Sequence, residues 1–207
     1  MRFLKLFEQK SYEEHVAEIC QRYNIRNWSI NSEGLVDVNG NVYLSRKRLT
    51  KLPLNFGHVG GNFYCSSNQL TNLAGCPHTV SGNFSCAYNI IISLEGPLHT
   101  VSGNFSCSSN IITSLEGGPQ SVGGNFWCFE NDLDSLRFSP EEVGGEVRVL
   151  PNPITDIPKK YLTEKCLQFI VKEQYDWNLY RKDGSMRLDR LEQMIEWGIE
   201  TNKIKPL

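Results

Sequence analysis

Four segments of this chain carry nearly the same wording at a fixed interval. Val59-Gly-Gly-Asn-Phe63-Tyr-Cys65, Val80-Ser-Gly-Asn-Phe84-Ser-Cys86, Val101-Ser-Gly-Asn-Phe105-Ser-Cys107 and Val122-Gly-Gly-Asn-Phe126-Trp-Cys128 begin 21 residues apart each time. Two weaker copies, Val38-Asn-Gly-Asn-Val42-Tyr-Leu44 and Val143-Gly-Gly-Glu-Val147-Arg-Val149, extend the series in both directions without an insertion. A unit this short cannot bury its own apolar face, so such copies must stack on one another. The repeat therefore restricts the middle of the chain to a solenoid.

Each unit runs on into an asparagine and two aliphatic positions, as in Phe63-x-Cys65-x-x-Asn68-x-Leu70-x-x-Leu73. Alternation at Phe63 and Cys65 describes a short strand with both side chains inward, after which Asn68 turns the chain and Leu70 and Leu73 return to the same core. The Val-Gly-Gly and Val-Ser-Gly segments read as turns that enter the strand. Asn68, Asn89, Asn110, Asn131 and Asn152 are expected to form an internal ladder, broken at the first copy by Lys47. This wording, at this period, is a leucine-rich-repeat pattern. The expected fold class is α+β: a leucine-rich-repeat solenoid of six 21-residue repeats with a parallel sheet, about 24 Å along the stack, and helical caps at both ends.

Caps are expected because a solenoid otherwise exposes its core at each end. Ser11-Tyr-Glu-Glu14 reads as a capping box opening a helix through Val16, Ile19, Cys20 and Tyr23, with Asn24 ending it and Phe3, Leu4, Leu6 and Phe7 packing nearby. After Pro158, the spacing of Tyr161, Leu162, Cys166, Phe169 and Ile170 predicts a second helix. Asp183-Gly184 marks a turn, and Ser185 is placed to open a third helix carrying Leu188, Leu191, Met194, Ile195 and Ile199. The divisions are thus 1–26 for the N-terminal cap, 27–158 for the solenoid and 159–207 for the C-terminal cap.

Charge narrows the function classes. The whole chain has 21 Lys+Arg against 23 Asp+Glu, and residues 27–158 hold 6 basic and 11 acidic groups. Between Lys51 and Glu130 the only charged residues are Glu95 and Glu116. A nearly neutral, slightly acidic surface argues against phosphate-rich ligands and against a polybasic membrane anchor. The first ten residues have too short an apolar run for a secretory signal, and no stretch matches the roughly 18 apolar residues of a membrane span. A cytoplasmic setting is expected.

Seven cysteines, an odd number without an export signal, suit free thiols in a reducing compartment. Cys65, Cys86, Cys107 and Cys128 should stack in the core as small hydrophobes. No metal-binding spacing, nucleophile elbow or phosphate loop occurs, and the columns His78/His99 and Glu95/Glu116 follow automatically from copying a repeat. The expectation is a non-enzymatic protein without metal or cofactor.

The repeats resemble compact leucine-rich repeats of tailed bacteriophages and bacteria, over Val38 to about Pro158. That resemblance implies a phage-encoded factor that binds and inhibits or redirects a bacterial host protein, with defence proteins among the targets. From the residues, the outward strand positions drift while the core stays constant: Tyr43, Tyr64, Ser85, Ser106, Trp127 and Arg148 in one column, Ser45, Ser66, Ala87, Ser108, Phe129 and Leu150 in the next. Exposed aromatics and arginine on a rigid sheet are typical anchors for protein partners. Tyr43, Arg46, Tyr64, Tyr88, Trp127, Phe129 and Arg148 are the candidate contacts, with Trp127, Phe129 and Arg148 the sharpest patch unless the C-terminal helices cover it. A structural virion or assembly component, or a nucleic-acid-associated regulator using Arg46–Lys51 and the C-terminal helices, is the alternative. A carbohydrate ligand for Tyr64 and Trp127 lacks an export signal behind it. The oligomeric state is left open.

Overall fold

A two-residue strand is too short to be stable alone, so this chain builds its sheets by stacking such strands in register. A computed structural model describes the backbone of residues 2–204 and the side chains of residues 11–204. The chain forms a parallel-sheet solenoid with helices at each end. Val42–Tyr43, Phe63–Tyr64, Phe84–Ser85, Phe105–Ser106, Phe126–Trp127 and Val147–Arg148 form one six-stranded sheet, each strand 21 residues from the next. These six strands enclose five complete turns of chain. We call it the phenylalanine sheet, because Phe63, Phe84, Phe105 and Phe126 point into the core with successive rings 5.4, 5.5 and 5.9 Å apart and nearly parallel. Val42 and Val147 occupy the same inward column at its two ends.

The segments expected to be turns form a second sheet. Phe56–Val59, Thr79–Val80, Thr100–Val101, Ser121–Val122 and Glu142–Val143 pair in parallel, and Val59, Val80, Val101 and Val122 are buried. The expectation of one strand per repeat is therefore corrected to two. Gly-Gly-Asn or Ser-Gly-Asn joins the two strands at a corner where successive turns almost touch. A Cβ on Gly103 would lie 2.6 Å from Asn83 Oδ1 and 2.8 Å from the Gly82 carbonyl, a separation only a glycine permits. A β-hairpin precedes the repeats. Its strands β1 (Trp28–Ile30) and β2 (Val36–Val38) pair antiparallel, and β2 joins the second sheet alongside Phe56–Val59.

The asparagine ladder is present and does more than turn the chain. Asn110 Nδ2 donates to the carbonyls of Cys107 (2.9 Å) and Ser108 in its own repeat and of Cys86 (3.2 Å) in the preceding one, while its Oδ1 accepts from Ile91 N (3.0 Å). Asn89 and Asn131 repeat the pattern, and both are buried. At Lys47 there is no earlier turn to bridge; its backbone N–H instead donates to Asn68 Oδ1 at 2.9 Å. A second ladder went unread in the sequence. Oδ1 of Asn41, Asn62, Asn83, Asn104 and Asn125 accepts from the backbone N–H 21 residues later, at 2.7–2.8 Å. Two amides per turn thus hold the corners that the short strands leave unpaired.

Helix α1 (Arg2–Tyr23) covers the N-terminal end, burying Val16, Ile19 and Cys20. Ser11 lies inside this helix, so the Ser11–Glu14 capping box does not open it; a local signal yields where the helix has residues to continue into. Asn24, at φ 54°, ends it, with Ile25 N donating to Cys20 O. The expected packing of Phe3, Leu4, Leu6 and Phe7 lies outside the described side chains. At the other end, α2 (Glu164–Glu173) is capped by Thr163, whose hydroxyl accepts from Cys166 N. Glu164 accepts from Val149 N (3.2 Å) and Leu150 N (3.0 Å), so a carboxylate closes the C-terminal edge of the phenylalanine sheet. Helix α3 (Leu188–Glu200) begins at Leu188, and Ser185 does not cap it. Ser185 is held in the Asp183-Gly184 turn by Asp183 Oδ1, and Met186 bridges to Tyr180.

The ladder makes a quantitative expectation. Asn110→Ala takes the acceptor from Ile91 N, at about 1–3 kcal/mol for a buried group left unsatisfied, and removes one of two amide donors from the carbonyls of Cys86 and Cys107, which keep Asn89 and Asn131, at about 1 kcal/mol for each bond lost. Urea unfolding should show a loss of about 2–4 kcal/mol, against less than about 0.5 kcal/mol for Thr113→Ala on the exposed loop of the same repeat.

Candidate partner-binding face

The outer surface of the phenylalanine sheet is set by residues alternating with the buried Phe and Cys columns. Tyr43 is exposed and leans on Tyr64, with ring centroids 5.8 Å apart and 33° between planes. Tyr64 Oη accepts from Asn83 Nδ2 at 3.2 Å, which fixes the ring over the next repeat. Ser85 and Ser106 follow in the column, small enough to leave a depression, and Trp127 rises beyond them. The result is an open groove of about 430 Å³ with Tyr64, Tyr88 and Trp127 among its walls and Ser85 and Ser106 lining it. The Ser66 and Ser85 hydroxyls lie 2.7 Å apart, so the groove's hydrogen-bonding groups are preordered.

No Asp, Glu, His, Lys or Arg side chain lines this groove. Its chemistry is that of aromatic rings, hydroxyls and the amides of Asn83 and Asn104, which suits binding through apolar contact and neutral hydrogen bonds. The Trp127 indole N–H is buried and has no acceptor among the described residues. Such a donor costs stability, so internal hydrogen bonding does not account for tryptophan here.

The other candidate residues are arranged differently. Phe129 is half-buried and Arg148 is exposed and paired with Glu146 at 3.0 Å; neither lines the groove. The second column, expected to face outward, is largely covered: Ser108 and Ala87 are buried. The chain bends sharply after it, because Arg46, Ser67, Tyr88, Ser109 and Glu130 all take left-handed φ values of 54–58°. Arg46 and Tyr88 therefore project from this corner of the solenoid, and Tyr88 borders both the corner and the groove. The C-terminal segment does not line the groove; α2 packs against Val147–Arg148.

All seven cysteines are free and buried. Cys65, Cys86 and Cys128 donate weakly to carbonyls of the following repeat, at 3.5–3.7 Å. Burial pushes the Cys76 thiol up to about 12 and Cys20 to about 11, and raises Cys65, Cys86, Cys107 and Cys128 well above the ordinary range. The His78 and His99 rings stand 6.5 Å apart, and among the described residues no three His, Cys, Asp or Glu side chains converge to hold a metal ion. One polar cluster was unread in the sequence: Asp156 Oδ2 accepts from Ser135 (2.6 Å) and Tyr180 (3.0 Å), pinning the C-terminal segment to the last turns. Burial raises the Asp156 carboxyl and the Tyr180 phenol above their ordinary values. Ser135 and Asp156, 21 positions apart, meet because consecutive turns stack, and Tyr180 joins them through the packing of the C-terminal segment.

Comparison with protein-family models, curated proteins and solved structures finds no match to this chain. Among the described residues no helix is long and apolar enough to cross a membrane.

The thiol environment is open to direct measurement. With Cys76 titrating at about 12, only about one molecule in a thousand carries that thiolate at pH 9. Ellman's reagent should therefore label Cys65, Cys76, Cys86, Cys107 and Cys128 roughly a hundredfold or more slower in the native protein than in urea, followed site by site with mass spectrometry.

Proposed function

We propose that this protein is a non-enzymatic binding module whose phenylalanine-sheet face engages a protein partner. The groove between Tyr64 and Trp127 carries the reading: a rigid, uncharged depression walled by aromatic rings and containing ordered hydroxyls. Large rings on a fixed scaffold contribute contact area with little loss of conformational freedom, which is why Trp and Tyr dominate the energetics of protein interfaces. Tyr43, Tyr64, Tyr88 and Trp127 are the central contacts in this proposal. Phe129 and Arg148 stand in the neighbouring positions and Arg46 at the corner, outside the groove's own lining.

The resemblance of the repeats to those of tailed phages and bacteria supports a more specific role, a factor in the bacterial cytoplasm that binds and inhibits or redirects a host protein. A virion component would use the same groove for static contacts.

Affinity capture from bacterial lysate at low and high salt, read by quantitative mass spectrometry, tests the reading. Wild type should enrich a defined protein, and Trp127→Ala/Phe129→Ala should reduce that enrichment by about tenfold or more, as loss of a central aromatic anchor does. Trp127→Phe should retain stability, since it removes the unpaired indole N–H, yet still weaken capture. Recovery of salt-sensitive nucleic acid alone, or of equal protein with wild type and the double variant, would overturn it.

A further inference from the structure

The corner of the solenoid beside the groove has a residue pattern that copying of the repeat does not explain. Five successive turns place Arg46, Ser67, Tyr88, Ser109 and Glu130 in one column, each with left-handed φ and each donating its backbone N–H to the following repeat at 2.9–3.0 Å. The neighbouring outward columns read Arg48, Gln69, Ile90, Ile111, Asp132 and Thr50, Thr71, Ile92, Thr113, Asp134. Hydrogen bonds set this register: Gln69, Ile90, Ile111 and Asp132 donate in turn to the carbonyls of Leu49, Leu70, Ile91 and Ile112. Along the axis the face thus passes from basic, through polar, to apolar, and ends acidic.

Its centre is openly apolar. Tyr88 is 61% exposed, Ile92 55%, Ile90 49% and Ile111 44%. Three isoleucines and a tyrosine exposed together on consecutive turns mark an interaction site. Its ends are uncompensated: Arg46, Arg48, Glu130, Asp132 and Asp134 are exposed and take part in none of the ion pairs among the described residues. Glu130 accepts one hydrogen bond, from the Ser109 hydroxyl at 2.6 Å, which leaves its charge in place.

The geometry is symmetric about the third turn. Tyr88 and Ile90 lie two turns after Arg46 and Arg48 and two turns before Glu130 and Asp132, about 10 Å either way at the spacing of parallel strands. An isologous contact requires a surface that complements itself under a two-fold rotation. We propose that two copies of this chain associate antiparallel through this face, with the two-fold axis at the third turn. Ile90 and Tyr88 then meet their symmetry mates, and Arg46 and Arg48 lie against the partner's Glu130 and the partner's Asp132 at both ends. A parallel arrangement would set arginine on arginine and carboxylate on carboxylate. The pairing leaves the groove between Tyr64 and Trp127 open apart from its Tyr88 border, so it goes beyond the proposed partner-binding role and does not depend on it.

Three columns over five turns give fewer residues than the roughly 20–30 a side of a standard interface, so association should be reversible over about 1–200 µM by sedimentation velocity of the full chain. Ile90→Asp/Ile111→Asp should weaken it at least about tenfold. Arg46→Glu/Arg48→Glu alone should do the same, as should Glu130→Arg/Asp132→Arg alone, because each sets like charges together at both ends. Mixing the two charge-reversed variants should restore a heterodimer, since every end then pairs opposite charges; that recovery also demonstrates that both variants fold. Trp127→Ala should leave the dimer intact, which separates this test from partner capture. A monomer throughout the concentration range would overturn the proposal, as would self-association indifferent to the charge reversals or a mixture that fails to recover.

Discussion

The fold depends on how it satisfies buried corners. Strands of two residues supply few ladder hydrogen bonds, and each 21-residue turn must change direction several times around a filled core. Backbone groups at those corners face the interior or the neighbouring turn, where water does not reach them. Asn89, Asn110 and Asn131 resolve this with one side chain apiece, donating to carbonyls of two successive turns and accepting an N–H from the earlier one. An amide is suited to the task because it offers two donors and an acceptor on a short, stiff stem. A carboxylate lacks the donors, and a serine has only one.

Once the amides set the spacing, the remaining columns follow. Glycine is required where Gly82, Gly103 and Gly124 pass the preceding turn, since a Cβ there would meet its backbone at 2.8–2.9 Å. Phenylalanine stacks on phenylalanine because consecutive turns repeat at nearly the distance of offset aromatic rings. Cysteine fills the next inward position, a small apolar side chain whose thiol leans on a carbonyl of the neighbouring strand. The ends break this regularity in different ways. A helix and an antiparallel hairpin cover the first turn, whereas at the last turn Glu164 accepts the edge N–H groups of Val149 and Leu150. An edge blocked in this manner is unavailable for adding strands from another molecule.

The solenoid was legible because its signal is repetition, which survives ignorance of local geometry. The second sheet was harder to read: Val-Ser-Gly and Val-Gly-Gly have turn composition, and a two-residue strand is too short to show a period of its own. Its valines were nonetheless as constant as the phenylalanines. Local end signals misled for a related reason. Ser11-Tyr-Glu-Glu14 and Ser185 have the chemistry of helix starts, but a cap is used only where the chain on its N-terminal side leaves the helix, and neighbouring residues decide that. In the candidate site, Tyr64 and Trp127 were found from their column, whereas the burial of Ala87 and Ser108 follows from a left-handed residue after each strand that no side-chain pattern announces. The joining of Asp156, Ser135 and Tyr180 comes from tertiary packing, which carried no sequence motif.

Copying also offers a way to separate structure from interaction. A duplicated unit begins with the same residue in every column, and columns that face the core remain so because stacking penalises change in any one turn. Outward columns are released from that constraint, and most of them drift among small polar residues. The corner columns that run from Arg46 and Arg48 through Tyr88 and Ile90 to Glu130 and Asp132 do not drift in this way. They change in order, with opposite charge at equal distance on either side of an exposed apolar centre. Nothing in the fold requires that order: the left-handed turn is built equally well with serine at Ser67 and Ser109. An isolated solenoid gains no stability from isoleucines held in water. The physical use of such a graded face is recognition of another surface, and the simplest surface with the matching gradient is its own, turned through a half rotation.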